Sequence, residues 1–81
     1  QKLVKLQVDC GDKERRQIIA GVAQSYSAET LVGKQVVVIA NLKRATVMGN
    51  HSDGMLLAVK DGAGVSLIKP DREMAAGSKV S

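Results

Sequence analysis

The sequence predicts a small all-β barrel of about five short strands with one helical turn. Three features predict it. Apolar residues recur with a period of two along most of the chain, and turn-forming residues interrupt that alternation at short intervals. No apolar run exceeds five residues, and the run Val36 to Ala40, of that length, is rich in β-branched side chains. The 81 residues allow one domain, spanning 1–81. A chain of that length buries only about 60–65% of the surface its unfolded form exposes, so the core must be small. A hydrophobic fraction of 44% and a charged fraction of 25% are ordinary for a folded domain and argue against intrinsic disorder.

Val4, Leu6, Val8 and Cys10 fall on one face of an extended segment, with Lys5, Gln7 and Asp9 on the other, so the first strand is half-buried. Gly11-Asp12-Lys13 is a turn. Ile18, Ala20 and Val22 alternate with Gln17, Ile19 and Gly21, which gives a second strand folding back on the first as a hairpin, with a bulge or bend at Gly21. Ser25 to Gly33 breaks the period. Ser27 can cap a helix, Glu29 suits its first turn, and Gly33 stops it, leaving Ala28 to Val32 as one or two turns. Val36 to Ala40 reads as a strand covered on both faces. Asn41 to Gly54 is the least regular stretch and is expected to be a polar loop. Met55 to Val59 is the next strand, Asp61 to Gly64 a turn, and Val65 to Ile68 the last strand, closed by Lys69-Pro70-Asp71.

Composition removes several classes of mechanism. Tyr26 is the only aromatic residue, which disfavours a row of stacking rings. Cys10 is the only cysteine and CxxC is absent, so there is neither a disulfide framework nor a readable zinc site. A lone thiol suits a reducing compartment. No apolar run approaches the roughly 20 residues that span a bilayer. The amino end shows no signal-peptide apolar core, and it begins at Gln1 with the alternating pattern already under way, so the chain reads as a piece of something longer. Twelve Lys and Arg against eight Asp and Glu give a formal charge of +4. That suits an anionic partner, although a small domain also carries such charge for solubility.

His51-Ser52-Asp53 has the residue types of a catalytic triad, but sequence neighbours cannot place nucleophile, base and orienter in one line of hydrogen bonds. It reads as a polar turn. His51 and Cys10 show no ligand spacing. Gly62-Ala63-Gly64 is too short to cradle a phosphate and reads as a hairpin turn. One or two of Met48, Met55 and Met74 are expected as core filler. The basic pairs Arg15-Arg16, at the mouth of the first hairpin, and Lys43-Arg44, opening the Asn41 to Gly54 loop, are placed where binding residues concentrate on a rigid barrel.

Three ordered blocks then carry a resemblance over nearly the whole chain. Arg16-Gln17-Ile18-Ile19-Ala20-Gly21-Val22-Ala23 is the first, Leu31-Val32-Gly33-Lys34 with the valine run and Ala40-Asn41-Leu42 the second, and Met48-Gly49 with Ser52-Asp53-Gly54-Met55 the third. The tail adds Pro70-Asp71-Arg72-Glu73 and Gly77-Ser78-Lys79-Val80. Together they resemble the tRNA-binding domain found at the carboxyl end of many bacterial methionyl-tRNA synthetases. Related domains occur in free homodimeric tRNA-binding proteins and in secretion-chaperone-like dimers.

The resemblance implies an OB-fold five-stranded barrel with one short helix, and a non-catalytic domain that binds tRNA by shape and phosphate contacts. It implies a cytoplasmic protein with no cofactor, no metal and no membrane partner, a homodimer, and a synthetase catalytic domain on the same chain or a partner chain. Asn41, Lys43, Met48, Ser52, Gly54 and Met55 match the family's motif positions, and Arg44, Arg15 and Arg16 join them as candidate RNA-binding residues on charge and position. The sequence departs from the family at Arg44, where proline is usual, and at Thr46, often lysine, as if one basic side chain had moved two places. A chain poor in aromatics should engage a folded RNA through phosphates and 2′-hydroxyls rather than by stacking. The family's first strand has no counterpart before Leu3, which leaves an edge to be covered by residues before Gln1 or by a second copy. The competing reading is a protein-interaction module, a dimerisation appendage or chaperone-like dimer, whose basic charge is incidental.

Overall fold

A computed structural model describes residues 3–81. It is an all-β domain with one short helix, in the order β1 (Val4–Val8), β2 (Arg16–Ala20), α1 (Ala28–Leu31), β3 (Val38–Ile39), β4 (Ala45–Val47), β5 (Asn50–Ser52), β6 (Met55–Leu56), β7 (Ala58–Asp61) and β8 (Gly64–Leu67). The strands pair two by two, all antiparallel: β1 with β2, β3 with β6, β4 with β5, and β7 with β8. The expected segment before Leu3 lies outside the described residues, and among those residues β1 carries a ladder only on its β2 side.

The first hairpin is the one the alternation predicts. Val4, Leu6 and Val8 are half-buried while Lys5 and Gln7 are exposed, and Leu6 pairs with Ile18. The chain bends at Gly21, as expected. β2 differs in one respect. Ile18, Ile19 and Ala20 are all buried, so β2 is covered on both faces and forms the centre of the domain. Ile18 is fully buried, and Ala20, Val22, Leu31 and Leu56 complete the core around it. By contrast, the residues from Val36 to Ala40 are all only half-buried, and the strand there is limited to Val38–Ile39.

The strand expected over Met55 to Val59 is broken at Leu57 because the chain changes partner there. The Leu57 N–H donates to the Val37 carbonyl at 3.0 Å, and its own carbonyl accepts from the Ile68 N–H at 3.0 Å. Val37 closes the triangle by donating to the Ile68 carbonyl at 3.2 Å. β6 thus serves β3, and β7 serves β8. The N–H groups on the other edge of β8 are satisfied by side chains. Ser25 Oγ accepts from Val65 at 3.2 Å and Tyr26 Oη from Leu67 at 2.9 Å. The single aromatic ring is thereby packed against the core and its hydroxyl occupied. The Leu67 N–H favours the phenolate and lowers the Tyr26 pKa.

Two further expectations need correction. Asn41 to Gly54 is not a plain loop, since β4 and β5 form a hairpin within it. Val47 pairs with Asn50 across a two-residue turn, Met48-Gly49, with φ of 51° and 83°. Positive φ at both positions is a type I′ turn, which suits the twist of a hairpin but strains a non-glycine residue. The methionines are not core filler. Met48 is 82% exposed at the hairpin tip, and Met55 and Met74 are also outside. The tail is held by Gln35, whose side-chain amide donates to the Met74 carbonyl at 2.6 Å and accepts from its N–H at 2.9 Å. No helix among the described residues is long and apolar enough to cross a membrane.

Candidate nucleic-acid interface

The β4–β5 hairpin is fixed to β2 by polar contacts, and these decide which candidate side chains face solvent. The Ser52 hydroxyl accepts from the Ile19 N–H at 3.0 Å and donates to the Gly54 carbonyl at 3.0 Å. It is 4% exposed, and neither of its bonds goes to His51. Beside it, the Asp53 N–H donates to the Gln17 carbonyl at 2.8 Å, and the Gln17 side chain donates to the His51 carbonyl at 2.8 Å. Gly54 lets the strands approach. A methyl group there would lie 3.1 Å from the Ile39 carbonyl oxygen, 3.1 Å from Val38 Cγ1 and 3.3 Å from Ile18 Cδ1. Ser52 and Gly54 are therefore buried parts of the frame that presents the hairpin.

Arg16 is also engaged. Its Nε donates to Asp12 at 3.0 Å, and its Nη1 donates to the carbonyls of Ala40 and Asp53, both at 3.0 Å. The Asp12 hydrogen bond holds its pKa above the ordinary guanidinium value. Through this one side chain the first hairpin grips both the end of β3 and the end of β5. The neighbouring Arg15 is exposed and forms no ion pair among the described residues. Arg16→Gln is accordingly expected to lower the melting temperature, and Arg15→Gln to leave it unchanged, as followed by circular dichroism. Equal melting temperatures for the two variants would show that the Arg16 contacts carry no stability.

The fold brings Arg44 of the second basic pair to the first pair. Arg15, Arg16, Leu42 and Arg44 line one open depression of about 330 Å³, shared with Asp12, Glu14 and Asp53. Asn41 and Lys43 are exposed in the connection that leads into β4, Met48 stands at the hairpin tip, and Met55 faces outward. Of the nine candidates, six present side chains to solvent, Arg16 is half-buried, and Ser52 and Gly54 are buried. Arg44 is exposed but paired. Its Nε and Nη2 donate to the two Asp53 carboxylate oxygens, at 2.5 and 3.4 Å. Asp53 carried a readable signal once the turn is placed at Met48-Gly49. Ala45 pairs with Ser52, and one step further along that register sets Arg44 against Asp53. The contribution of Gln17 carried no such signal, because it depends on β2 lying beside β5. Cys10 is half-buried, and burial pushes its thiol pKa up despite the nearby Arg16 charge. No group of three or more His, Cys, Asp or Glu among the described residues could hold a metal ion.

Similar proteins point the same way as the surface. Residues 1–79 match the model of a family described as "Putative tRNA binding domain". A methionine–tRNA ligase of Helicobacter pylori strain J99 is 52% identical over 80 residues, which are 99% of this chain and 12% of that protein. The methionine–tRNA ligase of Thermotoga maritima is 52% identical over 81 residues, or 100% of this chain and 13% of that protein. The chain thus spans only a small part of the ligases it matches. Among solved structures, a MetRS-related protein from Pyrococcus horikoshii superposes with a TM-score of 0.86 at 38% identity, covering 99% of this chain and 73% of that one. The chaperone CsaA from Bacillus anthracis superposes with a TM-score of 0.89 at 30% identity, covering 98% and 76%.

Proposed function

The chain belongs to this family of tRNA-binding domains, and from that premise we propose that it binds tRNA, without catalysing a reaction, as a cytoplasmic domain appended to a methionyl-tRNA ligase. Such a domain raises the concentration of tRNA near a catalytic domain joined to it. The observation that carries the reading is the shared depression, where Arg15 and Arg16 from one segment meet Arg44 from another, with the exposed Asn41 and Lys43 flanking Leu42 in its wall. Arg15 and Lys43 are exposed and take part in no ion pair among the described residues. The only Phe, Tyr or Trp ring, that of Tyr26, is committed to the edge of β8, so a row of such rings for base stacking is absent. Phosphate and ribose contacts on a folded RNA fit such a surface.

Binding is then expected to be electrostatic and modest. With roughly three phosphates contacted, log affinity for tRNA should fall against log salt with a slope of about −2 to −3. Filter binding or fluorescence anisotropy across a salt series measures it. A slope of zero would move RNA binding out of first place.

One observation favours a second reading, self-association. Leu57 and Ile68 are neighbours across the β7–β8 register, and Val59 follows on the same side of its strand, all three exposed. An apolar stripe of this kind is a surface on which a homodimer can form. Light scattering should give a mass that falls on dilution, and Val59→Asp should shift the chain to monomer. A wild-type mass that is monomeric at every concentration removes this reading and leaves tRNA binding untouched.

A further inference from the structure

We propose that Asp53 is a built-in competitor of RNA phosphate, holding Arg44 in a closed ion pair that tRNA must open. The inference rests on the tRNA-binding reading and adds to it a residue that sets affinity. Four observations support it. Arg44 and Asp53 meet side-on, two nitrogens on two oxygens, the same fork that a guanidinium offers to two phosphate oxygens. The pair lies at the rim, with side-chain exposures of 59% and 26%, so an incoming phosphate can reach it. Asp53 cannot follow Arg44 outward, because its backbone is fixed on both sides, the N–H to Gln17 and the carbonyl to Arg16. Arg44, on the chain entering β4, is 59% exposed and has no other bond among the described residues that would hold it there.

The arrangement has a consequence for charge. Three carboxylates share the depression with the three arginines, and two of the arginines are ion-paired, Arg16 to Asp12 and Arg44 to Asp53. Arg16 is anchored by further bonds to backbone carbonyls and stays in place. Arg44 has only Asp53, and a phosphate can replace that carboxylate bond for bond. Removing the Asp53 charge therefore releases one cation for RNA.

Asp53→Asn is the direct test, because it is isosteric and leaves both backbone anchors of residue 53 intact. Affinity for unmodified tRNA at low salt is expected to rise by about two- to fivefold, the range an exposed ion pair spans. The salt slope should steepen by about 1, for one added phosphate contact. A cycle with Arg44→Gln separates release of Arg44 from a simple gain in net charge. Asp53→Asn should have no effect on affinity once Arg44→Gln is present. An equal gain in both backgrounds, or a loss of affinity in Asp53→Asn, overturns the proposal while tRNA binding stands. Absence of any salt-dependent tRNA binding by all four proteins overturns both. In the unsubstituted chain, the Arg44 Nε–H resonance should move on titration with tRNA while that of Arg16 does not. An unmoved Arg44 resonance contradicts the proposal without recourse to any variant.

Discussion

Ile18→Ala is expected to bring the domain close to unfolding at ordinary temperatures. Ile18 is fully buried, and the remaining core side chains pack around it from β1, β2, α1 and β6. Removing a buried Ile side chain down to Ala costs about 2–5 kcal/mol, because a cavity is left as well as transfer energy lost. A domain of this length has a total stability of about 4–12 kcal/mol. Ile18→Ala thus consumes a large share of it, while Ile18→Val should cost only about 0.5–1.5 kcal/mol. Urea denaturation followed by circular dichroism gives both values. A midpoint for Ile18→Ala no lower than that of Ile18→Val would show that the core is not centred on this side chain.

How much of this was legible in the sequence follows from how local each cause is. The β1–β2 hairpin depends on alternation and a nearby turn, and both can be read directly. Even so, alternation underestimated β2. Ile19 and Gln17 read as an outward face, yet Ile19 is buried, and the edge of β2 away from β1 is taken by the second hairpin, where the Ser52 hydroxyl bonds to the Ile19 N–H and the Asp53 N–H to the Gln17 carbonyl. Nothing near β2 in the chain announces a neighbour more than thirty positions away. The run Val36 to Ala40 failed in the opposite sense, because an uninterrupted apolar stretch implies two covered faces and the structure covers each only in part. The β4–β5 hairpin was hidden for a chemical reason. Type I′ turns are recognised by Asn-Gly or Asp-Gly, and here Met48 occupies the position that demands positive φ.

The candidate site was legible as a set of residues but not as a set of roles. Motif positions shared with a family mix side chains that touch a partner with side chains that hold the frame, and a sequence does not sort them. Burial does. Arg15, Lys43 and Met48 are outside, while Ser52 and Gly54 are enclosed between β2, β3 and the hairpin. Arg44 and Asp53 could be joined only after the Met48-Gly49 turn fixed the register.

That sorting makes Ser52→Ala a decisive substitution. Its hydroxyl occupies two buried backbone groups at once, accepting from Ile19 and donating to Gly54. Alanine fits the space but bonds to neither, leaving the Ile19 N–H in the interior with no acceptor in place of the lost oxygen. An unsatisfied buried donor costs about 1–3 kcal/mol. Ser52→Ala is therefore expected to lower stability by that amount, yet to bind tRNA normally at a temperature where it remains folded. Lys43→Ala should do the reverse. Its side chain is exposed, so stability should change by less than about 0.5 kcal/mol while tRNA affinity falls. Denaturation midpoints and tRNA binding curves for the two variants, measured side by side, separate frame from contact surface. If Ser52→Ala lost tRNA affinity at unchanged stability, its hydroxyl would be a contact for RNA, and the bonds to Ile19 and Gly54 would not be its main role.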